Sequence, residues 1–327
     1  MKKVFALGEL LIDFMGTRRD VSLADCDMFI KKAGGAPPNA LAALCRLGGV
    51  GYLSSRVGHD AFGNFLISEC SKNNIDTSMV IKDPSRFTTC AFVSLTSSGQ
   101  RDFIFQRGAD AYIRYEDLSM DKVMDCNIFH FGAATGLLDS ITYETYMKVL
   151  NLAIKNDRFI VYDPNFRHDF WKNSKGSNSA DDFISKSRYM ISKSHVVKAS
   201  EEESMLISNE DSIEKAAQYF LELGTKIVLI TCAEKGAYAV KKGYSELIPS
   251  IKIDCVDSTG AGDAFIGAFL YKLSCLYNTN DILKDDMLLK EFVSFSNKAG
   301  AICCTRLGAM EGMPTMEEIR YRHSAFM

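Results

Sequence analysis

The sequence predicts an α/β fold, with three α/β/α layers around a mostly parallel central sheet and a small β-sheet lid. Three observations carry this expectation. Short β-rich runs alternate with helical stretches over most of the 327 residues, the rhythm of a parallel sheet covered on both faces. Two β-rich segments, 88–95 and 101–106, flank Thr96-Ser97-Ser98-Gly99-Gln100 and read as a hairpin outside that rhythm. The stretch 15–32 is polar with no clear helix, so it too is placed off the main sheet.

Taken in order, residues 4–14 are an apolar run around Gly8 and Glu9, read as one buried first strand. In 39–47, Leu41, Leu44 and Leu47 fall at helical spacing, and Gly48-Gly49 ends the helix. Residues 61–72 form a second amphipathic helix. Strand-like runs follow at 128–131, 159–162, 195–197 and 227–231, separated by helices near 141–155, 181–190 and 213–223. Residues 176–180, with their Ser and Asn neighbours, are a loop. No repeat or low-complexity linker interrupts the chain, so 1–327 reads as one domain with a lid made of about 15–32 and 88–107.

Composition narrows the function. The chain is 47% hydrophobic and 24% charged, with net charge −3, so no basic surplus points to nucleic acid or an anionic membrane. The amino terminus becomes acidic at Glu9, too soon for a signal peptide, and no apolar run approaches membrane-spanning length. Ten cysteines are scattered without a Cys-x-x-Cys pair. Most, including Cys45, Cys90, Cys232, Cys275, Cys303 and Cys304, lie in apolar segments, as small buried hydrophobes do in a reducing cytoplasm. The five histidines form no metal-ligand pattern.

The most specific segment is Asp257-Ser258-Thr259-Gly260-Ala261-Gly262-Asp263, which runs into an apolar helical stretch. Glycines let backbone N–H groups approach a ligand, and a helix start adds unpaired donors and a positive dipole end. Asp263 would repel a phosphate at this anion site unless it had its own task, and accepting a substrate hydroxyl proton is the economical one. The turn therefore reads as a phosphoryl-transfer site, against the blander alternative of a Gly-rich connection with an Asp cap. Gly34-Gly35-Ala36-Pro37-Pro38-Asn39 precedes the helix at 40–47 and offers backbone donors and an amide suited to a polyhydroxy ligand, or simply a capped turn. A nicotinamide fingerprint is missing after the first strand, Phe265 breaks its glycine spacing at 260–265, and no Walker-type loop occurs.

Together these segments resemble the ribokinase-like, phosphofructokinase-B-type carbohydrate kinases, from Gly8-Glu9 to Pro314. The resemblance implies the ribokinase-like fold, ATP and Mg²⁺ as cofactors, and a general base at Asp263 beside an anion hole of Gly260, Ala261 and Gly262. It implies sugar contacts from Asp13, Gly34, Gly35 and Asn39, joined by the lid residues Arg101 and Phe103 and by Arg167. Ser200-Glu201-Glu202-Glu203 resembles the Asn-x-x-Glu element, with Ser200 on the nucleotide side and Glu203 organising Mg²⁺ through water. Thr231-Cys232-Ala233-Glu234-Lys235-Gly236 resembles the nucleotide loop, with Ala233 in place of a glycine, and Asn297 lies where the family contacts adenine. In potassium-activated members, a monovalent cation binds at positions that here are Asp257, Thr259, Cys303, Arg306, Gly308 and Gly312.

Gly8–Phe14, Gly99–Phe105 with Ala109-Asp110, and Tyr162-Asp163-Pro164-Asn165-Phe166-Arg167 with Trp171 look most like fructokinases. The expectation is transfer from ATP to a primary hydroxyl of D-fructose, giving fructose 6-phosphate. A 2-keto-3-deoxygluconate kinase stays open, because Arg101 and Arg167 could fork onto a carboxylate. An aminoimidazole riboside kinase and a non-catalytic sugar sensor are the remaining alternatives. Exposed strand edges on the lid suggest a homodimer through it.

Overall fold

The main-sheet strands are apolar on both faces, so successive residues must be covered from opposite sides, which produces three layers. The computed structural model describes residues 1–18, 20–95, 101–172 and 179–324. In chain order the strands are β1 (Lys3–Leu7), β2 (Leu11–Gly16), β3 (Phe29–Gly34), β4 (Val50–Gly58), β5 (Asp76–Asp83), β6 (Cys90–Leu95), β7 (Arg101–Gln106), β8 (Ile128–Phe131), β9 (Phe159–Tyr162), β10 (Val196–Ser200), β11 (Ile227–Thr231), β12 (Ala237–Lys241) and β13 (Tyr244–Ile248). The helices are α1 (Ala36–Arg46), α2 (Ala61–Lys72), α3 (Met120–Met124), α4 (Ile141–Lys155), α5 (His168–Lys172), α6 (Ala180–Lys193), α7 (Glu201–Ser208), α8 (Ile213–Leu223), α9 (Ala261–Ser274), α10 (Asp286–Cys303), α11 (Ala309–Gly312) and α12 (Met316–Ser324).

The large sheet has the order β13-β12-β11-β10-β9-β8-β1-β4-β5. It is parallel from β11 to β5, and β12 and β13 add an antiparallel edge. Val4, Ile128, Val161 and Val196 face a core shared with Leu41, Leu44, Phe265, Phe269 and Phe292 of α1, α9 and α10. Phe5, Phe129, Ile160 and Val197 face the opposite core, with Tyr146, Val149, Phe183 and Phe220 of α4, α6 and α8. The expected three-layer α/β architecture is present.

A second sheet has the order β3-β2-β6-β7, with β2 and β6 parallel and the other pairs antiparallel. It corrects the first-strand reading: 4–14 is two strands in two sheets, with a break at Gly8-Glu9-Leu10. Gly8 has φ 154° and a Cβ there would overlap Ala133, so the chain turns at the one residue able to do so. Both halves are buried, so the apolar pattern runs through the break. The polar stretch 15–32 contributes the end of β2 and much of β3, and its one short helical turn is Leu23–Asp25. The turn at 96–100 and most of the loop at 176–180 lie outside the described residues.

The helix expected from 39 or 40 begins at Ala36. Pro37 and Pro38 sit in its first turn, where a missing N–H costs nothing and a fixed φ favours helix. Cys275 also departs from expectation: it is exposed at the end of α9.

Candidate active site

The chain runs outward from β1 through β4 to β5, then returns to the other side of β1 with β8. Such a switch point leaves a crevice at the carboxyl ends of the strands. Glu9, after β1, is buried there and accepts from Ala36 N–H at 3.0 Å, Ala134 N–H at 3.2 Å, Thr135 N–H at 3.2 Å and Thr135 Oγ1 at 3.1 Å. It thereby pins the start of α1 to the loop after β8. Thr135 Oγ1 also lies 3.0 Å from buried Asp110, which accepts from Thr89 Oγ1 and pairs with Arg107. The Gly8-Glu9 and Ala109-Asp110 segments thus brace the site.

Over that brace, Asn39 Nδ2 donates to Asp263 Oδ2 at 2.9 Å. Asn39 lies in the first turns of α1 and Asp263 in the first turn of α9. A close helix seam makes the meeting possible: a Cβ on Gly267 would overlap the Ala40 carbonyl and reach 2.6 Å from Ala43 Cβ. Asn39 Oδ1 is buried with no hydrogen-bond partner, which leaves an acceptor unused beside Asp263. Burial pushes the Asp263 carboxyl above its ordinary range, opposed by the Asn39 hydrogen bond and the Arg167 and Lys198 charges.

Gly260 is the residue before α9, at φ 82°, and a Cβ on it would meet Ala309 at 2.7 Å. No side chain caps α9, so its first N–H groups remain donors for an anion. Ala261 N–H is partly engaged within the turn by the Ser258 carbonyl at 3.2 Å.

Two partners in the site were missed by sequence reasoning. Lys198 of β10 is buried and pairs with Asp163 at 2.9 Å. Its Nζ lies 3.0 Å from where a Cβ on Gly262 would stand. Asp163 follows β9 and also accepts from Asn165 N–H at 3.2 Å, while Asn165, at φ 45°, donates to the Gly132 carbonyl at 2.8 Å. Asn tolerates that left-handed conformation, which explains the Asp163-Pro164-Asn165 turn. A lysine inside an apolar strand was the available signal.

The residues expected to meet a sugar divide between two elements. Asp13 stands on β2, and a Cβ on Gly34 would overlap its carboxylate, so Gly34 lets β3 pass beside it. Gly35 is the N-cap of α1 at φ 115°, where a Cβ would overlap the Glu9 carbonyl. Register puts Asp13, Phe103 and Phe105 on one face of the small sheet. Phe105 stacks on Phe170 of α5 with ring centroids 4.0 Å apart, and Phe103 lies 5.7 Å from the same ring. Arg167 is exposed and donates to the Phe166 carbonyl at 3.1 Å and Asn165 Oδ1 at 3.3 Å. Arg101 begins β7, and its side chain lies outside the described residues.

Among the residues expected on the nucleotide side, Ser200 and Glu203 form a capping box at the start of α7. Glu203 Oε2 accepts from Ser200 N–H at 2.8 Å and Oε1 from Phe166 N–H at 2.8 Å. Each oxygen keeps a second lone pair, which suits contact with a hydrated cation better than direct ligation. Thr231 ends β11, and Ala233 holds φ 49° in the turn before Gly236 at φ 109°. Asn297 of α10 donates to the carbonyls of Ile248 at 2.8 Å and Pro249 at 3.3 Å, bracing the segment after β13.

Asp257 draws the remaining loop together. Its carboxylate accepts from Thr259 N–H at 2.9 Å, Thr259 Oγ1 at 2.6 Å and Gly308 N–H at 2.9 Å. Cys303 Sγ lies 3.7 Å from the Thr259 carbonyl, and a Cβ on Gly312 would stand 3.0 Å from the Cys303 carbonyl. Arg306 turns its guanidinium to Glu318. No cluster of three metal-ligating side chains occurs among the described residues, so a cation here would rely on main-chain oxygens.

An uncapped helix start, a buried carboxylate and a buried cation lie together here, an arrangement able to move a phosphoryl group to a hydroxyl. The chain matches the pfkB family carbohydrate kinase profile over residues 1–316, and it belongs to that family. It is 32% identical over 319 residues to Fructokinase-1 of Oryza sativa subsp. japonica, covering 97% of this chain and 96% of the relative. The fructokinase of Xylella fastidiosa with bound ATP superposes with a TM-score of 0.87 at 26% identity, over 99% of each chain. An E. coli protein named as a ribokinase II, in complex with ATP and Mg²⁺, gives 0.85 at 26% identity, over 99% of this chain and 100% of that one.

Proposed function

We propose that this protein transfers the γ-phosphoryl group of ATP to a primary hydroxyl of a small sugar, converting D-fructose to fructose 6-phosphate. The observation that carries the reading is the Asn39–Asp263 hydrogen bond, which couples a polyhydroxy-binding turn to a carboxylate beside an anion-binding helix start. Asp263 orients the hydroxyl and takes its proton as the oxygen attacks phosphorus. Asn39 Oδ1 accepts from a sugar hydroxyl, and Asp13, Gly34 and Gly35 line the same side. The N–H groups at Gly260, Ala261 and Gly262 hold the transferring phosphoryl oxygens. Such transfer is positioning plus electrostatics, so rigid donors matter most.

Thr231, Ala233, Gly236, Ser200 and Asn297 hold the nucleotide. Mg²⁺, when bound, offsets charge on its phosphates, and Glu203 holds the ion through water. A K⁺ ion fits the loop of Asp257, Thr259 and the main-chain oxygens of Cys303, Arg306, Gly308 and Gly312. The small sheet acts as a lid that excludes water, a competing acceptor. Its edge strands β3 and β7, with exposed Ile30 on one face of the sheet and exposed Ile104 on the other, suit a homodimer through the lid. No described helix is long and apolar enough to cross a membrane, and ten free thiols accord with a reducing cytoplasm.

One observation favours a second substrate. Arg167 is exposed and its charge reaches Asp263, so a keto-acid sugar such as 2-keto-3-deoxygluconate has a guanidinium available. A coupled ATP-consumption screen decides: fructose, 2-keto-3-deoxygluconate, ribose, glucose and aminoimidazole riboside, with Mg²⁺ and with or without K⁺. Selective turnover of fructose supports the main reading. Turnover of the keto acid alone reassigns Arg167 as a carboxylate clamp, and sugar binding without turnover makes the protein a sensor.

A further inference from the structure

Lys198 is an unusual residue for its position. Val196, two residues earlier on the same face of β10, lies in the apolar core against α9 and α10, and the lysine side chain is only 6% exposed. Burying an ammonium is costly unless something fixed repays it. One repayment is visible in Asp163, 2.9 Å away. The second neighbour is the Gly262 turn, with Nζ 3.0 Å from where a Cβ would stand. Any side chain at 262 would have to displace the ammonium.

The charges around this point do not balance without the lysine. Asp163, Asp263 and Glu203 are buried carboxylates at the end of β9, on α9 and on α7, each within electrostatic reach of Lys198. Burial opposes the Lys198 charge, but these three carboxylates outweigh it and hold the ammonium above its usual range. Burial pushes the Asp163 carboxyl up, and the Lys198 charge and hydrogen bond oppose that rise. The other groups facing the site are Arg167, which is exposed, Asn39 of α1, the Cys303 thiol of α10, pushed up to about 12, and His130 of β8, driven by burial down to about 4 and therefore neutral. Among the described residues, Lys198 is the buried cation of this cluster.

We propose that Lys198, seated by Asp163, is a positioning residue for phosphoryl transfer: its fixed ammonium under the Gly262 turn lets the Asp263 carboxylate and an incoming phosphoryl group share one site. The proposal rests on the sugar-kinase reading. A purely structural role, tying the end of β9 to β10, is the alternative, and it predicts that breaking the pair from either side has the same effect.

Three variants separate the two: Lys198→Met, Asp163→Asn and the double variant. Lys198→Met is expected to lower kcat about 10- to 100-fold, short of the roughly 100- to 1000-fold loss of a direct oxyanion donor, and to move the acidic limb of kcat/KM to higher pH. Asp163→Asn keeps the cation and removes a carboxylate, so the limb moves to lower pH and kcat falls less. The double variant replaces a buried ion pair by neutral groups, a change folds commonly tolerate, and keeps the kcat loss of Lys198→Met. Equal kcat losses in both single variants with an unmoved limb, or recovery of kcat in the double variant, would overturn the proposal. If Lys198→Met does not fold, the double variant carries the test. A ¹³C NMR titration of the Asp263 carboxyl gives a readout without turnover: its midpoint rises in Lys198→Met and falls in Asp163→Asn, and an unchanged midpoint in Lys198→Met counts against the proposal. Failure of wild-type protein to phosphorylate any sugar would instead sink the kinase reading.

Discussion

Asn39 Nδ2 sits 2.9 Å from Asp263 Oδ2, joining residues 224 positions apart. One residue opens α1 and the other opens α9, and the pair brings the two helix starts to a single point over the switch in the main sheet.

This pair sets the first prediction. Asp263→Asn should lower kcat by roughly 10²- to 10⁴-fold, the usual worth of a general base, with an unchanged circular dichroism spectrum. Asn39→Ala should lower kcat/KM by about 10- to 100-fold, since hydrogen bonds to charged groups contribute about 1.5–3 kcal/mol. Because Asn39 Oδ1 has no partner within the protein and is the acceptor assigned to the sugar, the sugar KM should rise in that variant while the ATP KM holds. Steady-state kinetics in each substrate checks both, and near-normal turnover of Asp263→Asn would remove the residue from the mechanism.

The same carboxylate carries a pH-dependent cost in stability. Burial raises its folded pKa above the ordinary 3.8, so the charged form disfavours folding. That cost is fully present above the folded pKa and disappears below the unfolded one. Asp263→Asn should therefore raise Tm at neutral pH, with the gain shrinking as pH falls toward about 4, near the ordinary Asp value. Calorimetry across that range checks the sign, and a gain independent of pH would point to packing instead.

Ala233 occupies φ 49°, a left-handed conformation that costs an L-residue about 1–2 kcal/mol. Glycine there loses about 0.4–1 kcal/mol through its freer unfolded state. The first effect wins, so Ala233→Gly should stabilise the fold by roughly 0.5–1 kcal/mol. Urea unfolding measures this. A relaxed loop should also lower the ATP KM.

Gly267 is expected to tolerate no side chain. A methyl would overlap the Ala40 carbonyl, so Gly267→Ala must push α9 from α1, at about 1–3 kcal/mol for an overpacked seam. The same shift separates Asn39 from Asp263, so kcat should fall although neither residue has changed. Wild-type kcat with lowered Tm would show that the seam serves stability alone.

The parallel sheet and its helices were legible because apolar strands and amphipathic helices carry their periods locally. Ile128–Phe131, Phe159–Tyr162 and Ile227–Thr231 appear as strands where the pattern places them. The break at Gly8-Glu9 was hidden, since β1 and the start of β2 are both buried and their apolar run continues through the turn. The Gly260–Asp263 turn was legible for a similar reason, because its donors and its carboxylate are neighbours along the chain.

By itself, then, the sequence determined the α/β class, the backbone donors and carboxylate gathered in the 257–263 turn, and the family resemblance. Only the tertiary structure decided that Asn39 meets Asp263, that Glu9 and Asp110 brace the crevice, and that Lys198 stands under Gly262. Those contacts join residues far apart in the chain, and they depend on helix approach and on which face of a strand looks inward. Local pattern encodes the period of each element, whereas the distance between two elements is set by packing around the whole core.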